Sequence, residues 1–510
     1  MRAALIFPPQ WDPRQPPLAP AILAACFRKA ELEVRHFDLN LALYRNLLNP
    51  EFEGDIKDYL LTRLLDPKNL SNAMSYLQIS EQVQKLFDER FDQQGAGRLF
   101  WDGCQGFPPI GSSRDWQTII SNDKPMPALK HLQKEISTLL DWAPDLVCFS
   151  VISDNQLAAT LSMAATIRHS LPNAFIIAGG SAFAYRRNLF ENQRWLGQVF
   201  DLICLGDAES MINLIQSGTY ASNGDNNTLP DFFPALSEKS SGICNFSSTI
   251  MPDFSGMPLS DYLTPKLVMP IETARSCPWG RCAFCIHPVR AANGRPSYRP
   301  KPWAMVEQEI KQLFADGCRH FFIIDEAIPP PRLQHLSEFF TSLSEPVFWI
   351  GYTRIDEGHN RETFVKARQS GCLKLFIGVE SGSDRILSRF NKGISAKRAR
   401  RVLVDLATAG IAAHFFLMTG FPGENECDRQ ATLQLLAEVL PEFDPFGFSF
   451  DLFPLNGELE TDLLANPDKY GLQPPCRGPD NDMCWQFPLL SGAKGKNHLT
   501  QFRHQITELG

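Results

Sequence analysis

The chain has no apolar run long enough to cross a bilayer, which takes about eighteen residues, so no membrane span is expected. A signal-peptide core is missing too: Met1-Arg2-Ala3-Ala4-Leu5-Ile6-Phe7 runs into Pro8-Pro9 before such a core can form. Nor is there a basic block. Lys and Arg total 49 against 57 Asp and Glu, a net charge of −8, which disfavours a nucleic acid partner. The disulfide framework of a small secreted protein is also absent. The 13 cysteines are scattered apart from a single cluster, which fits a reducing cytoplasm. With 510 residues, 44% of them apolar, the chain has material for two or three domains with real cores.

That one cluster is Cys277-Pro278-Trp279-Gly280-Arg281-Cys282-Ala283-Phe284-Cys285, spaced C-x4-C-x2-C. Thiolates bind iron, zinc and copper(I) strongly, and Pro278 and Gly280 keep the stretch out of a regular helix, so it reads as a metal-wrapping loop. Three sites fit the spacing. Zinc would take Cys277, Cys282, Cys285 and His287. A plant-type ferredoxin cluster would need a distant fourth thiol, for which Cys318 is the candidate, although Cys318 also reads as a small buried residue at a strand start. The third is a cluster with three protein thiolates and one open iron, which leaves a coordination position for a small molecule.

Before the cluster, strand and helix patterns alternate. Strands are expected at Ala3–Phe7, Glu33–Phe37, Leu146–Val151, Ala174–Ala178 and Asp201–Leu205, with helices at Leu18–Ala30 and Leu157–His169. This predicts an α/β, doubly wound, Rossmann-like parallel sheet over residues 1–217, with a helical insertion at about 41–140 that turns loop-like from Gly95 to Pro127. Ligands of such sheets sit beyond the carboxyl ends of the strands. Small or polar residues gather there: Pro8, Ser150, Ser153, Gly179, Gly180, Gly206, Asp207 and Glu209. Residues 218–267 read as a linker.

From 268 to 455 a second βα series follows. Its strands are expected at Val268–Thr273, Phe321–Asp325, Val347–Tyr352, Lys374–Val379, Ala412–Met418 and Gly447–Leu452. Helical patterns fall between them, for example at Met305–Phe314, Glu362–Gln369, Lys397–Ala409 and Arg429–Leu440. Six such units predict a partial (βα)6 TIM-like barrel whose active site lies at the carboxyl ends of its strands, where the cysteine loop is. Residues 456–510 read as a C-terminal tail or cap, with Cys476, Cys484 and Trp485 as capping candidates.

The Cys282-Ala283-Phe284-Cys285 segment resembles the end of the radical S-adenosylmethionine (SAM) signature, with four rather than three residues between the first two cysteines. With the N-terminal α/β domain, the chain resembles the branch of that family that carries a cobalamin-binding domain. The resemblance implies a [4Fe-4S] cluster on Cys277, Cys282 and Cys285. It also implies SAM contacts at Phe284, Asp325, Glu326, Arg354, Glu380, Ser383, Thr419 and Gly420, and cobalamin over the strand ends of the first domain. The Asp-x-His-x-x-Gly motif of other cobalamin domains is missing; the matching region reads Asp38-Leu39-Asn40-Leu41. The activity implied is reductive cleavage of SAM and, with cobalamin, methylation of an unactivated carbon. Cyclisation, rearrangement or oxidation without methyl transfer is the alternative, and a non-catalytic metal-binding protein is a further one. An external flavodoxin- or ferredoxin-type electron donor and a small-molecule or peptide substrate are the implied partners, in the cytoplasm.

Overall fold

Ala3 to Phe7 are apolar without interruption, and in a computed structural model all five are buried, as befits an inner strand covered on both faces. The structure describes residues 1–48, 62–66, 68, 73–91, 113–121, 127–184, 190, 193–205, 207, 209, 231–233, 250–286, 298–444, 447–455, 461–472, 476–478, 481–486 and 495–509. Gly206, His287 and Arg290 lie outside them. The chain divides into two compact units, Met1–Met269 with Gly478–Cys484, and Pro270–Arg477 with Trp485–Gly510.

In the first unit, β1 (Arg2–Phe7), β2 (Glu33–Asp38), β3 (Leu146–Ser150), β4 (Phe175–Gly179), β5 (Leu202–Cys204) and β6 (Asp231–Phe233) form one parallel sheet ordered β2-β1-β3-β4-β5-β6. Strand order reverses at β1, so a ligand crevice is expected beyond the ends of β1 and β3. Helix α1 (Leu18–Lys29) lays Leu23, Ala24 and Phe27 on Ala3, Leu5 and Ile177, which together form the core on one face. Helix α2 (Leu39–Leu48) follows β2 directly.

The insertion carries helices α3 (Ala73–Phe91), α4 (Ser113–Ile120) and α5 (Gln133–Trp142) before α6 (Leu157–Ser170) resumes the α/β alternation. Helix α4 corrects the loop expected there. It is only two turns long, too short to display a period, and it is held by Trp116 against Trp195 and Phe190. The linker expected at 218–267 is also corrected in part. Asp231–Phe233 is the sixth strand, and 250–266 packs on the first unit through the Arg28–Asp253 ion pair, the Tyr262 hydroxyl donating to Asp38 at 2.6 Å, and the Leu263 N–H donating to the Pro13 carbonyl.

The second unit's sheet holds β7 (Val268–Ile271), β8 (His320–Ile328), β9 (Phe348–Thr353), β10 (Cys372–Glu380), β11 (Ala412–Thr419) and β12 (Phe448–Pro454), neighbours in sequence order. That winding is the partial barrel expected. Its outer helices are α7 (Trp303–Ala315), α8 (Pro330–Thr341), α9 (Arg361–Gln369), α10 (Asp384–Arg389), α11 (Ala396–Thr408) and α12 (Glu426–Val439). The sequence reading did not single out α8, whose leading prolines occupy a first turn that has no N–H to lose. The C-terminal stretch is more than a tail. Leu463 donates its N–H to the Ala283 carbonyl, and α13 (Gly495–Thr507) buries Phe502 and Ile506. Cys476, Cys484 and Trp485 lie in two short strands.

Candidate functional site

The cysteine loop leaves β7 and is clamped along its length by the ends of later strands. At its start, Thr273 gives its N–H and its hydroxyl to the two oxygens of Asp325, while Arg332 donates to the Thr273 hydroxyl oxygen and carbonyl at 2.7 and 2.6 Å. Asp325 is buried, and burial pushes its carboxyl up to about 6 although the Thr273 bonds pull the other way. Next, the Ser276 N–H meets the Glu326 carboxylate. Burial pushes Glu326 up to about 7, helped by the like charges of Glu272 and Asp325.

Trp279 donates its indole N–H to the Asn391 carbonyl at 2.7 Å and lies flush on Gly393, where a Cβ would fall 2.3 Å from the ring. Gly393 also has φ of +76°, so two constraints select glycine there. Ala283 is pinned on both sides, its N–H to the Phe390 carbonyl at 2.9 Å and its carbonyl to Leu463. Phe284 packs edge-on to Phe421, their centroids 6.0 Å apart, beside Phe390 and Tyr470.

Cys282 is buried between cations. An Arg354 guanidinium nitrogen lies 3.9 Å from its sulfur. Burial pushes the thiol up, and Lys392 and Arg354 pull it down. Arg354 is otherwise engaged by the Lys392 carbonyl at 2.7 Å, by Asp356 at 3.5 Å and by the face of Trp279. Lys392 is itself buried and forms a 2.6 Å ion pair with Glu380. Burial works against its charge, but Glu380 and Cys282 prevail and hold its pKa above the usual lysine value. Glu380 has φ of +61°, a left-handed conformation that is uncommon for a residue with a Cβ. Lys392 was not singled out in the sequence; it follows an ordinary turn, and only the fold brings it to the loop.

None of Cys277, Cys282 and Cys285 is in a disulfide. Among the described residues no three Cys, His, Asp or Glu side chains converge on a single metal ion. The thiols of a multi-iron cluster need not converge, since each binds a different iron. Cys318 sits partly buried just before β8, as the packing alternative foresaw.

Three other expected SAM contacts are engaged within the protein. Ser383 donates its hydroxyl to Asp428 at 2.6 Å. The Thr419 hydroxyl and Gly420 N–H both go to Glu424, at 2.8 and 2.7 Å, closing the turn after β11.

In the first unit a glutamine ties two strand ends together. Gln156 donates to the Pro8 carbonyl at 2.6 Å and accepts from the N–H groups of Ile152 and Ser153 at 2.7 and 3.1 Å, tying β1 to β3. Ser150 pairs in register with Gly179, and both are at the carboxyl edge. Gly180, at φ of +112°, lies against the Val151 backbone, 2.3 Å from where a Cβ would be. Asp207 and Glu209 follow β5 half-buried. Sequence reasoning missed Gln10. It is fully buried at the end of β1, and neither atom of its carboxamide has a partner among the described residues. Its signal is a polar residue after two prolines, too common to stand out. At the place of the missing histidine motif, burial pushes Asp38 up to about 6, against its bonds from Leu41 and Tyr262.

Residues 271–436 match the family model "Radical SAM superfamily". The tRNA-2-methylthio-N(6)-dimethylallyladenosine synthase of Chlorobium phaeobacteroides is 31% identical over 169 residues, covering 31% of this chain and 37% of that protein. Its counterpart in Chlorobium limicola is 28% identical over 204 residues, covering 38% and 44%. The chain thus spans less than half the length of these curated relatives. Among solved structures, the cobalamin-dependent SAM radical enzyme OxsB with aqua-cobalamin superposes with a TM-score of 0.61 at 14% identity, over 100% of this chain and 72% of that one. The radical SAM methyltransferase TsrM from Kitasatospora setae gives 0.57 at 14% identity, over 99% and 84%.

Proposed function

Starting from a chain that carries a radical SAM domain on the fold of the cobalamin-dependent radical SAM enzymes, we propose that it is a SAM-cleaving enzyme that, with cobalamin, methylates an unactivated carbon of a natural product or peptide. The observation that carries this reading is the loop of Cys277, Cys282 and Cys285, held at the strand ends by at least five separate contacts. A [4Fe-4S] cluster on these thiols would supply an open iron for SAM and the electron that cleaves it. The chain's own part is positioning. Asp325 and Arg332 fix the entry to the loop, Trp279 and Ala283 fix its middle, and Arg354 and Lys392 bring positive charge to the Cys282 thiolate. Glu326, half-buried near the end of β8 and bonded only to backbone, is the carboxylate offered to the SAM ammonium; Asp325, Glu380, Ser383 and Thr419 are engaged within the protein. Such an enzyme draws its electron from an external flavodoxin- or ferredoxin-type donor.

Support for cobalamin comes from the first domain. Beyond β1 it carries the orphaned Gln10 carboxamide, which suits a ligand fringed with amides; Gly179 and Gly180 pack on Cys204 and Val151. In the sequence, Asn40 stands where the histidine of other cobalamin domains would be.

The test is anaerobic reconstitution followed by turnover with methyl-labelled SAM. About four irons per chain, lost on changing the three cysteines to alanine, and label in the product are expected. Zinc in place of iron overturns the reading; unlabelled, rearranged product replaces methyl transfer by isomerisation. A second reading, methylthio transfer to tRNA, is favoured by the activity that the 31%-identical relative's name gives it, and opposed by the net charge of −8. tRNA as the acceptor in the same assay would decide for it.

A further inference from the structure

The two faces of the second sheet differ. Phe321, Ile323, Leu375, Ile377 and Phe415 are buried under the helices. On the other face, Phe322, Tyr352, Phe376 and Phe416 are only half-buried. Their rings tile neighbouring strands: Phe322 to Tyr352 5.3 Å, Tyr352 to Phe376 5.0 Å, Phe376 to Phe416 6.3 Å between centroids. The planes stay within 38° of one another, so the rings form a shallow apolar platform rather than an interlocked core.

Lys374 stands two residues before Phe376 at one edge of this platform. Its ammonium donates to the Ser449 hydroxyl at 2.9 Å, Ser449 is 2.8 Å from His414 Nδ1, and His414 Nε2 is 3.2 Å from Asp451. One proton arrangement satisfies the row: Lys374 to Ser449, Ser449 to His414, and His414 Nε2–H to Asp451. His414 is then neutral and its tautomer fixed. Among the described residues Lys374 has one hydrogen-bond partner, the Ser449 hydroxyl, and its ammonium lies 5.3 Å from the centre of the Phe376 ring. Among the described residues no carboxylate lies within ion-pair distance of it. A half-buried ammonium without a counter-ion is unfavourable, and an arriving anion would relieve it. Burial already pushes its pKa down, with Asp451 acting the other way from a distance.

We propose that this face binds a substrate with a flat apolar body and a single carboxylate, the body lying on Phe322, Tyr352, Phe376 and Phe416 and the carboxylate pairing with Lys374. One ammonium suits a monoanion. A phosphate dianion or a polyanionic strand would meet the nearby Asp451 carboxylate. The inference rests on the function proposed above in calling this ligand a substrate, since it names the substrate class of the same domain.

Equilibrium dialysis of the full-length, cluster-loaded protein against 2-naphthoate and its neutral isostere 2-naphthamide tests it. The acid is expected to bind about tenfold more tightly than the amide, the worth of one partly buried charge-assisted bond. Lys374→Met should bring the acid down to the level of the amide, and Lys374→Arg should keep most of the preference. Phe376→Ala should weaken both probes alike. Equal binding of the two probes, binding of neither, or an acid preference that survives Lys374→Met overturns the proposal. SAM cleavage by the unsubstituted protein without substrate reports on the proposed function separately, so either idea can fail alone.

Discussion

Lys392 and Glu380 are each buried, and each is the other's counter-charge beside Cys282. Removing one partner of such a pair strands the other. Lys392→Met is therefore expected to destabilise the second unit by about 3–5 kcal/mol, and the double change Glu380→Gln with Lys392→Met to recover much of that; urea unfolding of the three variants measures both. His36 tests acid stability in the first unit. Burial, with Arg28, pushes its pKa down to about 4, and neither ring nitrogen has a partner among the described residues. The unfolded chain then binds the extra proton between the ordinary histidine value of about 6.5 and 4, so stability is complete above that window and falls as pH drops through it. His36→Phe should flatten this limb in a melting-temperature profile from pH 7 to 4; an unchanged limb would assign it to other groups. At this scale the sequence was only partly legible. The thiols declare themselves by spacing, and Glu326 and Glu380 by following a strand. Asp325, Ser383 and Thr419 share that position, but their hydrogen bonds turn them inward, as the Lys392 ion pair does Glu380, and a position in sequence does not say which way a side chain turns.

Elements were easier to read than side chains, because an uninterrupted apolar run announces an inner strand. Every expected strand of both sheets formed, most within two residues of the bounds read from sequence. Those not singled out include the three residues of β6, the two-turn α4, the six-residue α10, α8 behind its prolines, and α13 in the stretch read as a tail or cap. The turn between α10 and α11 carries a specific expectation. Gly393→Ala would place a methyl group 2.3 Å from the Trp279 ring on a backbone of positive φ. Two penalties at one residue add to several kcal/mol, and the ring must leave. Iron content after reconstitution is expected to fall by half or more while far-UV circular dichroism stays the same. In the first unit, Gly180→Ala meets backbone rather than a side chain, so there the cost falls on folding itself.

Two compact units imply two cooperative transitions. Calorimetry with hydroxocobalamin at a hundredfold excess over its dissociation constant is expected to stabilise the first unit by about 2.7 kcal/mol and leave the other transition in place. A shift in neither transition would argue that the front domain has lost its ligand. The units divide after Met269, where the strand and helix alternation starts afresh in the sequence, and the stretch read as a linker, 218–267, falls within the first unit. The sequence did not foretell that the chain's last hundred residues contribute to both units, because no pattern in it sets Gly478–Cys484 apart from its neighbours. The indole seated against Gly393 has an optical consequence. Trp279 lies between the first two thiols, so a coloured metal centre assembled there would quench its emission by energy transfer. Loading could thus be followed in real time by fluorescence, and the part of the signal lost in Trp279→Phe would separate this lamp from the other eight tryptophans of the chain.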